Sequence, residues 1–232
     1  MSHTLLMRLV APMQSWGVQS HFTHRDTGLE PSKSGVIGLL CAALGKPRDE
    51  THLDNRDKPT LKELANLRMG VRVDREGLLK RDYHIALNVR KASGTKMTDT
   101  KSAEVSERYY LADAAFLVGL EGDDLELLRK LDHALRNPHW FLFLGRKAFV
   151  PSEPVWLEDG LKPNAALLDA LKDYPFIGRS LPEDKRLRLI YEHLDGELVR
   201  PDQPISFCER RFVPRRVSMA FWIAPEPAPE VT

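Results

Sequence analysis

Basic side chains beside a helix start are the residues whose types and spacing best suit binding of an anion. Residues 25–44 lead from a basic loop into an apolar helix that Ser32 or Ser34 can cap. The start of a helix presents unpaired backbone N–H groups and a partial positive charge. With Arg25 and Lys33 next to it, this segment is suited to hold a phosphate backbone.

A second candidate is the polar segment 80–113, whose two arms are expected to pair as a hairpin. Tyr83 and His84 lie on one arm, and Arg108, Tyr109 and Tyr110 lie on the other. Cations at the tip and aromatic rings at the base can hold phosphates and stack unpaired bases. A surface hairpin without a ligand is the alternative. The cations between the arms are Arg90, Lys91, Lys96 and Lys101.

Two further basic segments are weaker candidates on sequence alone. Arg146 and Lys147 follow Gly145, and a glycine lets backbone N–H groups approach a phosphate, although the same residues also suit an ordinary basic turn. Four arginines stand close together near the C-terminus, where strand alternation sends neighbours to opposite faces. That segment fits a solvated edge strand as well as a contact with protein or RNA. Its arginines are Arg210, Arg211, Arg215 and Arg216.

Enzyme motifs are mostly absent from the sequence. It has no phosphate loop, no Gly-x-Ser-x-Gly elbow and no zinc-protease helix, and its two cysteines lack metal-ligand spacing. We therefore predict neither a cofactor nor a metal. One catalytic set is left open: Tyr83, His84 and Lys147 could supply the base, acid and cation of metal-independent RNA cleavage. A strand histidine satisfied by hydrogen bonds is the favoured interpretation of His84.

The element order predicts an α+β fold. The pattern indicates strand, helix, strand, strand, helix, strand, which is the order of a ferredoxin-like (RRM-type) βαββαβ domain. These six elements are predicted at 4–10, 34–44, 67–73, 115–120, 123–136 and 148–157. The hairpin segment lies between the second and third strands. We assign 1–158 to this domain and 159–224 to a smaller β-rich C-terminal unit, with a helix at 164–172 and strands at 186–192 and about 205–223.

Composition limits the remaining function classes. The chain has 232 residues, 42% of them hydrophobic, with a formal net charge of +1, so nucleic-acid binding would have to come from local cationic clusters. The longest apolar run, 36–44, is far shorter than the roughly 20 residues that span a bilayer, and the N-terminus lacks a targeting segment. We expect a cytoplasmic protein without membrane contact. Residues 225–232 are proline-rich and acidic and are predicted to be a disordered tail.

Several segments resemble one known family, and they occur in its order. They are Met13-Gln14-Ser15-Trp16-Gly17, residues 25–44, Arg81-Asp82-Tyr83-His84, residues 108–114 and Leu144-Gly145-Arg146-Lys147. In these segments the chain resembles the CasD family of the RAMP superfamily, the subunit of type I-E CRISPR Cascade complexes that holds the 5′ end of a CRISPR RNA. The likeness extends from residue 4 to about residue 151.

The resemblance implies a function, partners and contact residues. It implies a non-catalytic subunit that grips the 5′ handle of the CRISPR RNA, uses 80–113 as a projecting thumb and caps the backbone filament in antiviral defence. Protein partners would be the CasC backbone subunit and the CasA large subunit, and target DNA would be reached only through the assembled complex. Met13, Trp16 and Val18 are plausible protein contacts. Expected RNA contacts are Arg25, Lys33, Ser34, Arg90, Lys91, Lys96, Lys101, Arg108, Arg146 and Lys147.

The alternative of another class is a metal-independent endoribonuclease that processes precursor CRISPR RNA. Some relatives outside the type I-E group cut precursor RNA with a tyrosine, a histidine and a lysine. Tyr83, His84 and Lys147 could form such a set, but their positions do not align with it.

Overall fold

A computed structural model describes residues 1–19, 23–87 and 103–224. It is a mixed α/β structure with more strand than helix. The strands are β1 (His3–Val10), β2 (Met13–Gln14), β3 (His24–Arg25), β4 (Arg68–Arg75), β5 (Leu78–Leu87), β6 (Ala103–Ala112), β7 (Ala115–Gly122), β8 (Leu161–Lys162), β9 (Arg186–Glu192), β10 (Leu198–Ser206) and β11 (Arg211–Ile223). The helices are α1 (Lys33–Ala43), α2 (Leu61–Asn66), α3 (Leu125–Arg136) and α4 (Leu167–Asp173), with one 3₁₀ turn at Leu53–Asn55.

The main sheet has seven strands in the order β10-β11-β9-β4-β7-β1-β8. Neighbouring strands in it run antiparallel, and β7 lies between β4 and β1 over seven of its eight residues. The strand β7 is an apolar run and is buried over seven of its eight residues, as expected for a central strand. Strands β9, β11 and β10 continue the sheet beyond β4. The predicted C-terminal unit therefore has no sheet of its own, and the division at residue 158 stays a prediction.

Helices cover both faces of this sheet. On one face α1, α2 and α3 bury the larger apolar cluster, which includes Leu5, Ile37 and Leu128. On the other face α4 packs on Leu6, Leu117 and Leu189. Local sequence explains the helix ends: Ser32 caps α1 by accepting a hydrogen bond from the Gly35 amide, and Asp124 caps α3.

A buried charge pair attaches α4 to the sheet. Arg72 of β4 and Asp74 are both fully buried, and they form two hydrogen bonds of 2.6 and 2.7 Å. The Arg72 guanidinium also donates to the backbone carbonyls of Leu171, Tyr174 and Pro175 at the end of α4. These bonds satisfy a charge that would otherwise be costly to bury.

Two predicted strands are wrong in their extent. Residues 148–157 form no regular strand, because Pro151 and Pro154 lack the N–H that a ladder needs. The segment follows the edge of β1 through isolated bonds, such as that from the Arg8 amide to the Val155 carbonyl at 2.9 Å. The predicted strand 205–223 is divided by a turn in which Arg210 has φ +54°, and sequence reasoning missed most of β10.

The second sheet is built on the predicted hairpin. The two arms pair antiparallel over ten residues, from Leu78 opposite Ala112 to Leu87 opposite Ala103. The short strands β2 and β3 add to β6 at the base of this hairpin. The hairpin therefore leaves the main sheet between β4 and β7, where the sequence pattern predicts an insertion.

Candidate nucleic-acid interface

Three arginines from three separate segments meet at the base of the hairpin. Arg25 of β3 pairs in register with Arg108 of β6. Arg146 reaches the same place from its loop, and its Nη2 donates to the Tyr109 carbonyl at 2.9 Å and to the Arg25 carbonyl at 3.4 Å. We call Arg25, Arg108 and Arg146 the arginine cluster.

The arginine cluster concentrates positive charge. Burial lowers the pKa of the Arg146 guanidinium, and the charge of Arg108 lowers it further, while Asp82 acts in the opposite direction. An arginine still stays protonated at neutral pH. Among the described residues, no ion pair joins the cluster to a carboxylate. An anion bound at this position would relieve the repulsion between the guanidinium groups.

Residues 144–147 form a loop that we call the glycine loop. Close backbone packing holds it against the base of the hairpin. Gly145 has φ +100°, and a Cβ there would lie 1.9 Å from the Ser15 carbonyl oxygen. The Ser15 amide donates to the Leu144 carbonyl at 3.1 Å. Only glycine allows this contact without displacing the backbone of Ser15. The contact therefore fixes the position of the backbone from which the Arg146 side chain extends.

An aromatic pair lies next to the arginine cluster. The Arg146 guanidinium is 5.4 Å from the centre of the Phe149 ring, and the rings of Tyr110 and Phe149 are 5.9 Å apart. Because strand residues two apart share a face, Tyr110 lies on the same side of β6 as Arg108. Phe149 is only 6% exposed, so it packs beneath this surface, and sequence reasoning missed that role. Strand periodicity could have placed Tyr110 with Arg108, but no local signal links either residue to Phe149.

Trp16 does not belong to an exposed contact surface, which corrects its prediction as a partner contact. It is only 2% exposed, and its ring fills the space above Gly35, where a Cβ would lie 2.9 Å from the indole. The Trp16 indole N–H donates to the Gln14 side chain at 3.2 Å. Of the other two predicted contacts, Met13 is half-buried and Val18 is exposed, so both remain predictions.

Lys33 is also placed differently from the expectation. It is 1% exposed, and its ammonium forms a 2.8 Å ion pair with Glu192. Burial lowers the pKa of Lys33, and the charge of Glu192 opposes that shift. The Lys33 amide donates to the Asp202 carboxylate at 2.7 Å. The helix start does attract an anion, but carboxylates of the chain itself occupy it, so this structure leaves the Lys33 ammonium no access to a ligand.

The remaining predicted RNA contacts differ in their accessibility. Ser34 is half-buried beside the capping Ser32, with 3.5 Å between the two hydroxyl oxygens, and Lys147 is exposed. Arg90, Lys91, Lys96 and Lys101 lie outside the described residues. Of the predicted RNA contacts, the fold therefore brings Arg25, Arg108 and Arg146 together at one place. Lys33 is not part of that surface, because its side chain is buried.

Two of the four C-terminal arginines, Arg215 and Arg216, hold the fold together. Arg215 bonds the Asp202 carboxylate at 2.6 Å and also contacts Glu192, which completes the ion network around Lys33. Arg216 donates to the Gly196 carbonyl at 3.1 Å. These contacts give Arg215 and Arg216 structural partners within the chain.

Two members of the possible cleavage set, Tyr83 and His84, do not share one face. Tyr83 and His84 are neighbours on β5, so their side chains point to opposite faces of the hairpin. His84 Nδ1 is 3.7 Å from the Asp82 carboxylate, whereas Tyr83 is largely exposed. A base and an acid acting on one phosphodiester need to face the same site. This geometry opposes a catalytic pair of Tyr83 and His84.

Residues 1–19, 23–87 and 103–224 contain no group of three or more histidine, cysteine or acidic side chains that could hold a metal ion. Within the same ranges, no helix is long and apolar enough to cross a membrane.

The fold and its cationic surface define a class: a mixed α/β protein with a hairpin inserted into its main sheet and arginines gathered at the base of that hairpin. The family model described as CRISPR-associated protein (Cas_Cas5) matches residues 4–219. The CRISPR system Cascade subunit CasD of Escherichia coli (strain K12) is 30% identical over 227 residues, covering 91% of this chain and 92% of that protein. The chain belongs to this Cas5 family, and its resemblance to CasD is confirmed.

Solved structures agree with the family assignment. A crystal structure of a Cas protein has a TM-score of 0.75 and 44% identity, and the match covers 97% of this chain and 100% of the other. A chain of a CRISPR RNA-guided surveillance complex has a TM-score of 0.74 and 31% identity, covering 98% and 95%.

Proposed function

We propose that this chain is the CRISPR RNA-binding subunit of a type I-E Cascade surveillance complex, where it holds the 5′ handle of the guide. The observation that carries the proposal is the arginine cluster at the base of the hairpin. Three cations within one small area neutralise successive phosphates, and their contribution to affinity falls as salt rises. The relative named as a Cascade subunit supports the same assignment.

The hairpin would act as a thumb over the RNA. Its base supplies the arginine cluster and the half-buried ring of Tyr110, which is next to the buried Phe149, and this suits a backbone held beside an unstacked base. We also infer a ferredoxin-like domain, supported by the antiparallel order β4-β7-β1-β8 with α1 and α3 on one face. Lys147 and the cations at 90, 91, 96 and 101 would extend the contact along the RNA.

The subunit would bind RNA without cutting it. We infer this from the opposite orientations of Tyr83 and His84. In the assembled complex the chain would cap the backbone filament, contact the CasC and CasA subunits and meet target DNA only through the complex. The cytoplasm is the proposed location.

Incubation of the purified chain with end-labelled repeat RNA in excess EDTA tests this function. We expect intact RNA that is retained only when it carries the 5′ handle. A variant with Arg108→Gln should lose at least part of this retention, whereas Arg129→Gln on α3 removes an exposed arginine outside the cluster and should retain handle RNA normally.

Cleavage of the RNA in EDTA would establish the nuclease alternative. Equal retention of RNA with and without the handle would contradict the proposed handle binding.

A further inference from the structure

The segment between Arg25 and α1 has no regular structure of its own. Residues 26–31 form neither a helix nor a strand, and the strand before them, β3, has only two residues. A strand of this length contributes few ladder bonds to its pairing with β6. The position of Arg25 therefore depends on the contacts that hold the segment after it.

The first half of this segment is attached to the chain beside Trp16. The Trp16 amide donates to the Thr27 hydroxyl at 2.9 Å, and the Gly28 amide donates to the Trp16 carbonyl at 3.2 Å. The Ser15 hydroxyl donates to the Asp26 carbonyl at 3.5 Å. Because Trp16 is buried, these bonds tie residues 26–28 to the interior of the protein.

Glu30 holds the second half of the segment through two arginines of the C-terminal strands. Its Oε2 accepts a 2.9 Å hydrogen bond from Arg188 of β9, and its Oε1 accepts bonds of 2.8 and 3.1 Å from Arg200 of β10. Only 11% of the Glu30 side chain is exposed. Charge-assisted bonds to a mostly buried carboxylate are stronger than an exposed ion pair. We call Glu30, Arg188 and Arg200 the glutamate clamp.

The glutamate clamp connects the C-terminal strands to the arginine cluster. Both of its arginines lie more than 150 residues from Glu30 in the sequence. The segment that the clamp holds begins directly after Arg25, whose carbonyl accepts a 3.4 Å bond from Arg146. Displacement of this segment would therefore disturb the positions of Arg25 and Arg146 together.

We propose that the glutamate clamp positions Arg25 for the RNA backbone, so that Glu30, Arg188 and Arg200 are positioning residues for handle binding. This inference rests on the proposed function, because it assigns the clamp a role in that binding. A segment already held in its bound conformation does not have to be ordered by the RNA. If only a fraction of the chains has this conformation, the apparent affinity falls by that fraction.

The substitution Glu30→Gln separates positioning from simple electrostatics by the sign of its effect. Loss of a carboxylate near a cationic site should by itself raise the affinity for RNA. The amide that replaces it has one donor arm, so it cannot accept the bonds of both arginines. We expect the handle-RNA affinity to fall about tenfold, as it would if about a tenth of the chains kept the binding conformation.

Glu76→Gln is the matched control. Glu76 also accepts two bonds from Arg188, at 2.6 and 2.8 Å, but it lies in the turn between β4 and β5 and outside the 26–31 segment. This variant removes the same charge from the same arginine, so we expect no loss of handle affinity. An equal loss of affinity in the two variants, or parental or higher affinity in Glu30→Gln, would overturn the proposal.

The salt dependence of binding distinguishes a positioning residue from a contact residue. Glu30→Gln should lower the affinity by the same factor at each salt concentration, because the bound chain still neutralises the same phosphates. Arg25→Gln should instead make the slope of log affinity against log salt shallower. A slope for Glu30→Gln as shallow as that for Arg25→Gln would contradict positioning.

Hydrogen exchange of the full chain without RNA tests the clamp independently of the proposed function. We expect the amides of residues 27–30 to exchange faster in Glu30→Gln than in the parent chain or in Glu76→Gln, with parental protection of β7 in all three. Parental exchange of these amides in Glu30→Gln would overturn the proposal. Failure of the parent chain to bind the handle would refute the proposed function, and the exchange result would still decide whether the clamp holds the segment.

Discussion

Replacement of Gly145 by alanine should damage both the fold and the arginine cluster. A Cβ at this position would lie 1.9 Å from the Ser15 carbonyl oxygen, and the residue has φ +100°. The unfavourable backbone conformation costs about 1–2 kcal/mol, and the forced displacement adds about 1–3 kcal/mol. We expect the free energy of unfolding to fall by about 2–5 kcal/mol. Arg146, the next residue, should lose its bond to the Tyr109 carbonyl.

Gly38→Ala is the matched control for this substitution. Gly38 lies in α1, where a Cβ would meet only the Phe207 ring at 3.9 Å, an ordinary contact. Alanine there should stabilise the helix by up to about 1 kcal/mol.

Urea unfolding and handle-RNA affinity of the two variants would be compared with the parent chain. We expect Gly145→Ala alone to lower both the free energy of unfolding and the affinity. Parental stability of Gly145→Ala would refute the packing argument for the glycine loop, and parental RNA affinity despite reduced stability would refute the role of that loop in placing Arg146.

One thiol-labelling experiment and two substitutions test the packing of buried residues. An Ellman assay should detect Cys208 quickly and Cys41 only after unfolding, because Cys208 is exposed and burial raises the pKa of the Cys41 thiol to about 12; two fast thiols would contradict this. Asp74→Ala should lower the free energy of unfolding by about 3–5 kcal/mol, since it leaves the Arg72 charge buried without its partner, and chemical denaturation measures the decrease. Trp16→Ala should also cost about 3–5 kcal/mol in the same assay, whereas a decrease below about 1 kcal/mol would mean that the indole is not packed on α1.

Features that depend on neighbouring residues can be predicted from the sequence. Ser32 is one of two candidate caps, and it caps α1 because the accepting hydroxyl and the Gly35 amide are three residues apart. The two prolines that prevent a strand at 148–157 are also local, and their effect outweighs the apolar residues around them.

Features that depend on distant residues cannot be predicted in this way. The sequence places Lys33 at a helix start facing a ligand, but Asp202 and Glu192, more than 150 residues later, take that place. The partner of Trp16 is Gly35, which only the folded chain brings under the indole. Likewise, the meeting of Arg146 with Arg108 follows from the Gly145–Ser15 contact and has no counterpart in local sequence.

The salt dependence of handle binding tests the central claim most directly. The affinity of the parent chain and of the double variant Arg25→Gln, Arg108→Gln would be measured over a range of salt concentrations. If the arginine cluster neutralises phosphates, the slope of log affinity against log salt should become shallower by about 0.7 for each phosphate of a single-stranded RNA that the variant no longer neutralises. An unchanged slope and affinity in the double variant would show that the arginine cluster does not hold the RNA.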